Sequence, residues 1–352
     1  DSRKIIERVK DVTGRLLSPY YHRWFDPINK TFSAIEYNYR KRSQQIINEL
    51  LRYNKLICIS GTLAIDQSFE HLYFAWGGEP EKTQTRIYNT IFDYKKQVIC
   101  YIPDQGIVPT PPQNIFDDEF KDFCYKQYLE IKELITITEG KTLVLCTSHR
   151  QADFICDFLR DGCDITIYKQ GEGSTEFLTQ EFKNNKQSVL IGSGSFFSGV
   201  SIDSKSLVSV ILCRLPFSTP DDPLFDLISK DLNDKDIFAK IQFPHMMTKL
   251  LQALGRLIRT KYDFGCFTIL DPRALDSSYS DKIINELSSL GLTITRDRED
   301  VRKFLENKDE YFSIQYPKYS REKIHFPEKY LQNNEKHARI VVTNRKPVLE
   351  DW

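Results

Sequence analysis

The 352-residue sequence reads as an α/β chain built on a parallel sheet with helices on both faces. Five apolar runs, Thr142 to Cys146, Ile165 to Tyr168, Val189 to Ile191, Leu207 to Cys213 and Phe267 to Leu270, are separated by segments of helical periodicity, the alternation of strand–helix units. The length buries a full core and suits two domains, or one domain with substantial parts of another. Apolar residues make up 40% and charged residues 28%, as in ordinary globular chains, so the runs belong to a core.

Taken in order, Ile5 to Leu17 has helical spacing (Ile5, Ile6, Val9, Val12, Leu16) and stops at Ser18-Pro19. Tyr20-Tyr21-His22-Arg23-Trp24-Phe25 follows. Aromatics among basic groups suit base stacking beside phosphate contacts, and they equally suit a packed hairpin. Ser43 to Tyr53 turns Ile46, Ile47, Leu50 and Leu51 to one face, and Leu56 to Ile59 is a buried strand running into Ser60-Gly61-Thr62-Leu63. Residues 65–100 give no clear element. Prolines 103, 109, 111 and 112 mark an irregular crossover, and Phe120 to Ile137 is a helix with inward aromatics. Ile283 to Leu290 reads as a helix and Thr293 to Arg296 as a short strand, whereas the stretch from about 305 has little periodicity.

No apolar run approaches the roughly 18 residues of a membrane span. The sequence shows no charged-then-apolar leader, and its eight cysteines are scattered through apolar runs with no Cys-x-x-Cys pair. Reduced core cysteines in a cytoplasmic protein are expected, with no metal site. The 49 basic and 49 acidic residues cancel, yet residues 1–56 hold 12 basic against 6 acidic, 314–348 hold 8 against 3, and 102–139 reverse the sign with 3 against 8. That acidic stretch is a solvated face or a surface for a basic partner.

The chemistry concentrates in Leu250 to Arg259. Its apolar residues form a wide helical face, while Gln252, Arg256 and Arg259 stand at i, i+4 and i+7, so one helix presents an amide and two guanidiniums together. Guanidiniums are permanently charged planar forks that suit phosphate oxygens and the charge spread over a transferring phosphoryl group. A solvated polar stripe is the plainer alternative. Elsewhere, Thr147-Ser148 ends a strand and starts a helix, offering hydroxyls and helix amides to a backbone phosphate or, more simply, an N-cap. Gly192 to Ser201 is a glycine- and serine-rich loop of the kind that lets backbone amides approach phosphates. Glu139-Gly140-Lys141-Thr142 is no phosphate loop, because the required glycine five residues before Gly140 is Ile135.

Gln-x-x-Gly-Arg-x-x-Arg at 252–259 resembles the last motif of superfamily 2 helicases. Asp271-Pro272-Arg273, and Arg214-Leu215-Pro216-Phe217 with Asp221-Asp222-Pro223, resemble the DinG branch of the XPD-like DNA helicases. The resemblance covers roughly residues 40–275. It implies the end of an inserted arch-like region or its return to domain 1 in 1–42, the C-terminal part of RecA-like domain 1 in 43–100, RecA-like domain 2 in 101–304 and a C-terminal extension in 305–352. By the same resemblance, Gln252, Arg256 and Arg259 are catalytic, and Gly255, Gly199 and Asp203 bind nucleotide. Ser60, Thr62, Thr147, Ser148, Ser195 and Phe196 bind nucleic acid or couple it to nucleotide. Gly61 stands where the family has alanine, and Ser198 and Ser201 where it has carboxylates.

The implied cofactors are ATP and Mg²⁺, held mainly by a first motor domain of the same protein, because these residues contain neither a phosphate loop nor an Asp-Glu pair. The implied partner is single-stranded or forked DNA, with no iron–sulfur cluster in this portion and no membrane. A non-catalytic RecA-like module that binds nucleic acid or a partner protein is the alternative, favoured slightly by the two serines.

Overall fold

The computed structural model describes residue 14 and residues 21–26, 31–36, 39–53, 56–138, 141–185, 187–197, 207–218, 232–260, 263–306 and 340–343. Its strands are β1 (Tyr21–Asp26), β2 (Thr31–Glu36), β3 (Ile57–Ile59), β4 (Thr83–Arg86), β5 (Val98–Tyr101), β6 (Thr142–Cys146), β7 (Thr166–Lys169), β8 (Ser188–Ser193), β9 (Ser209–Leu212), β10 (Gly265–Ile269), β11 (Thr293–Thr295) and β12 (Ile340–Thr343). Contacts divide the chain into two units. The first takes Asp1–Ile87, Phe217–His245 and Lys336–Asn344, and the second takes Tyr88–Pro216, Met246–Glu335 and Arg345–Trp352. No helix among the described residues is long and apolar enough to cross a membrane.

In the first unit, β1 and β2 form an antiparallel hairpin. The helix Tyr39–Tyr53 leads to β3, and β3 and β4 both pair in parallel with β12, in the order β3-β12-β4. Ala64 and Phe69 form a small core with Ile47, Leu51, Leu56, Cys58 and Leu72 packed against it. The expected helix over residues 5–17 lies outside the described residues.

The second unit is a RecA-like α/β layer structure. Its seven strands run in the order β11-β5-β10-β9-β6-β8-β7, and every neighbouring pair is parallel. The five expected strands are β6 to β10, shifted by at most two residues at their ends, and β11 is the expected short strand at 293. Sequence reading left β5 unassigned at the end of the 43–100 segment, whereas the structure draws it into this sheet between β10 and β11.

Strands β5, β6, β8, β9 and β10 are buried at every position, because a parallel sheet joined by crossover helices is covered on both faces. Alternation divides their side chains. Ile99, Tyr101, Val144, Cys146, Val189, Ile191, Ile211 and Cys213 join the core made with the helices Asp118–Thr138 and His149–Gly162, and with Val301 of the helix Arg298–Glu306. On the opposite face, the Phe196 ring covers Gly192 of β8, and Leu257 of the helix Phe243–Leu257 reaches Gly265 of β10. Of the eight cysteines, all free, six are buried core residues.

Gly265 is required by close approach, since a Cβ there would lie 2.1 Å from the Val208 carbonyl oxygen and 2.9 Å from Leu257 Cδ1. One contact is backbone, so the strand itself has to shift. Gly265→Ala is expected to destabilise the second unit by about 1–3 kcal/mol, the usual cost of overpacking a filled core. Urea unfolding checks this, and an unchanged midpoint would show that β10 yields cheaply.

Candidate functional site

All strands of a parallel sheet end on one edge, and there the last carbonyls lose their ladder partners. In the second unit two buried glutamines supply replacements. Gln127 donates its amide hydrogens to the carbonyl of Cys213, just past β9, and to that of Leu270, just past β10, at 3.1 Å for the latter. Its own oxygen accepts from Gln151 Nε2 at 2.7 Å, and Gln151 Oε1 accepts from the Thr147 backbone N–H at 3.1 Å. The ends of β6, β9 and β10 are thereby tied through one relay.

Asp271 is the second fixture of this edge. Fully buried, it accepts from the Leu215 backbone N–H at 2.9 Å and holds the Arg273 guanidinium in a two-point pair at 2.9 and 2.7 Å. The Leu215-Pro216 and Asp271-Pro272-Arg273 segments, recognised separately in the sequence, therefore form one structural unit.

Thr147 and Ser148 stand at the end of β6, both half-buried. Ser148 caps the following helix by accepting from the Gln151 N–H at 3.2 Å. Its hydroxyl is thus engaged as an N-cap in this structure. Beside them, Ser193 at the end of β8 donates its N–H to Gln170 Oε1 at 2.7 Å, and its hydroxyl lies 3.4 Å from His149 Nδ1.

After β8 the chain turns through a short 3-10 segment, Gly194–Phe197. Arg256 reaches this segment. Both Nε and Nη2 donate to the Phe197 carbonyl at 3.0 Å, so the guanidinium is oriented by backbone. Burial, and then the neighbouring Arg259 charge, hold Arg256 below the usual guanidinium range. The backbone that carries Arg259 is fixed by buried Asp263, which accepts from the N–H groups of Arg259 and Thr260 at 2.6 Å each and from the Thr260 hydroxyl at 2.9 Å. Gln97 Nε2 closes the turn by donating to the carbonyls of Thr260 and Asp263, at 3.0 and 2.8 Å.

Gly255, between the amide and the guanidiniums, has open space where a Cβ would stand. Glycine inside a helix costs about 1 kcal/mol relative to alanine, and no packing within this unit requires it.

The structure therefore brings Arg256 to the Gly194–Phe197 turn and sets Arg256 and Arg259 within electrostatic reach of each other. Phe196 is fully buried over Gly192, which leaves it a role in holding the turn rather than one in stacking on a base. Ser195 lies in the turn with its side chain outside the described residues, as are Gly199 and Asp203 altogether. Ser60 and Thr62 belong to the first unit, just past β3, where Thr62 donates its N–H to Ser60 Oγ at 3.3 Å.

Sequence reasoning missed Gln127, Gln151 and Asp263. A signal was present for the first, since Gln127 stands alone among Cys124, Tyr128 and Ile131 on the apolar face of its helix. Gln127→Leu keeps the volume while leaving two strand-end carbonyls and the Gln151 amide without a partner. A loss of about 2–3 kcal/mol in the second unit is expected from urea unfolding, and a loss below about 0.5 kcal/mol would deny the relay its role.

Residues 131–289 match the family described as the helicase C-terminal domain. The ATP-dependent DNA helicase YoaA of Haemophilus influenzae is 31% identical over 254 residues, covering 72% of this chain and 38% of that protein. The ATP-dependent helicase DinG of Mycobacterium tuberculosis is 29% identical over 228 residues, covering 64% and 33%. A solved XPD helicase superposes with a TM-score of 0.47 at 17% identity over 65% of this chain and 40% of that one. The chain spans little more than a third of the length of these curated relatives. Residues 131–289 thus match a helicase C-terminal domain, and the chain is similar to YoaA- and DinG-type ATP-dependent helicases.

Proposed function

We propose that this chain is the arginine-finger half of an ATP-dependent DNA helicase, coupling ATP hydrolysis to movement along single-stranded DNA. The carrying observation is the end of the helix Phe243–Leu257, which bears Gln252, Gly255 and Arg256, with Arg256 anchored on the Phe197 carbonyl; Arg259, expected on the same helix, lies two residues past its end. An open glycine beside two clustered guanidiniums fits an anionic phosphate that approaches the helix backbone closely. Relatives bearing the words ATP-dependent DNA helicase support the choice of nucleotide and strand.

In this reading Arg256 and Arg259 neutralise charge developing on the transferred phosphoryl group, and Gln252 orients the attacking water or terminal phosphate. Mg²⁺ would be held by a phosphate-loop domain outside these residues and would supply neutralisation of phosphate charge. Phe197 links the finger to the turn after β8, and so to Ser193 and the Thr147–Ser148 edge, where the strand is gripped. The first unit, with β3, β4 and β12, completes the phosphate-loop domain, and the second unit, with β5 to β11, acts as the second motor domain, so the boundaries at 100, 304 and 305 expected from sequence are replaced by those of the two units. Support comes from β3, where Ile57 and Ile59 are 60% and 68% exposed, because parallel strands are ordinarily covered on both faces. The cytoplasm, the site of DNA maintenance, is the compartment this activity fits.

The test is DNA-stimulated ATP turnover by the complete gene product. Arg256→Ala with Arg259→Ala is expected to cut kcat by about 10³-fold or more, the scale of an arginine finger, while oligonucleotide binding persists. Turnover equal to wild type would remove the finger assignment. Gly255→Ala separates stability from function, with an expected gain of about 1 kcal/mol in helix stability and a loss of turnover. Turnover unchanged in that variant would mean that nothing approaches the helix at this point.

A further inference from the structure

A second group of residues on the carboxyl edge is used by none of the roles above. Arg150, the second residue of the helix His149–Gly162, places its guanidinium 5.5 Å from the centroid of the Phe116 ring and 5.1 Å from that of Phe154. Arg214, just past β9, lies 5.8 Å from the Phe120 ring, and Phe120 and Phe154 are themselves 6.4 Å apart. Both guanidiniums act electrostatically on the same thiol, Cys124, so the two charges converge.

Neither arginine has a carboxylate within salt-bridge distance among the described residues. Asp271, whose charge acts on Arg214, is already committed to Leu215 and Arg273. Burial, followed by the Arg273 charge, holds Arg214 below the usual guanidinium range, and Arg150 Nε is buried without a hydrogen-bond partner. Like charges gathered on aromatic faces and partly withdrawn from water are a poor arrangement for stability alone and a suitable one for an anion. Phe116 adds a different chemistry. It is 74% exposed with Arg150 against its ring, and its backbone is pinned by the Asn114 side chain at 3.0 Å.

Phosphate groups alternating with flat apolar rings are the signature of a single nucleic-acid strand, for which basic groups beside aromatic platforms are the general solution. We propose that Phe116, Arg150 and Arg214 form one step of the single-strand path, the two guanidiniums taking backbone phosphates and the open face of Phe116 stacking a base. The proposal rests on the motor reading above. A phosphate held here is adjacent to Thr147 and Ser148, so the strand contacts the same edge that the glutamine relay makes rigid.

The experiment measures binding of a fluorescein-labelled oligo-dT of roughly 20 nucleotides, long enough for one site, to the complete gene product across a salt series. Arg150→Gln and Arg214→Gln are each expected to lower the slope of log K against log salt by about 0.7, the value for one single-strand phosphate contact. Arg150→Lys, which keeps a point charge, is expected to restore it. Phe116→Ala, at an exposed position that leaves the core intact, is expected to weaken binding roughly 5- to 100-fold at every salt concentration with the slope unchanged.

Wild-type slopes in both arginine variants, together with less than a twofold effect of Phe116→Ala, would overturn the proposal while leaving the motor reading in place. Weaker binding with an unchanged slope and a lowered melting temperature in the arginine variants would assign them to packing and overturn it as well. A wild type that neither binds the oligonucleotide nor hydrolyses ATP overturns the motor reading and this proposal together.

Discussion

The unsatisfied carbonyl at the end of a parallel strand is the constraint on which this structure depends. Water satisfies such groups at an ordinary sheet edge, but Cys213 and Leu270 lie under a helix and have none of that solvent. Gln127 meets the need from the helix Asp118–Thr138, and Gln151 completes it from the helix that follows β6. Because buried polar networks are costly when half-made, the positions of both helices and three strands are fixed together. The edge that carries Thr147, Ser148, Leu215 and Asp271 is rigid for this reason, and rigidity is what a surface needs to grip a ligand at fixed spacing.

The finger arginines are positioned differently. Arg256 donates twice to a backbone carbonyl, a contact that leaves its charge in place. The Phe197 carbonyl belongs to the turn that leaves β8, and movement of Arg256 toward a phosphate releases that turn. In the proposed motor, this contact would join nucleotide to nucleic acid mechanically.

The sheet of the second unit was legible because its strands are continuous apolar runs with no competing helical pattern. The helix Phe243–Leu257 was legible over its last two turns because Leu250, Leu251, Ala253, Leu254 and Leu257 form a wide apolar face beside Gln252 and Arg256, whereas its end before Arg259 was not. β5 was not, since Val98–Tyr101 is four residues long and follows the charged Asp93–Lys96 segment. The partners of Gln127 and Asp263 were not legible for a deeper reason. Each is a polar residue whose partners are backbone groups 86 and 143 residues away for Gln127, and at a helix terminus for Asp263. Phe196 illustrates the converse, since a family motif placed it correctly in the chain while its burial over Gly192 depends on a glycine four residues earlier.

The pairing of β12 between β3 and β4 orders the events of folding. Residues 57–59 and 83–86 cannot form their sheet until residues 340–343 exist, because the strand that joins them is the last one made. The second unit completes its seven strands by residue 295, so it can condense on the ribosome while the first still waits for its central strand. Closing so long a loop is slow but adds only modestly to the entropy, as that cost grows with the logarithm of length. Synthesis thus delivers the half that bears Arg256 already folded, and β3 gains its pairing partner later.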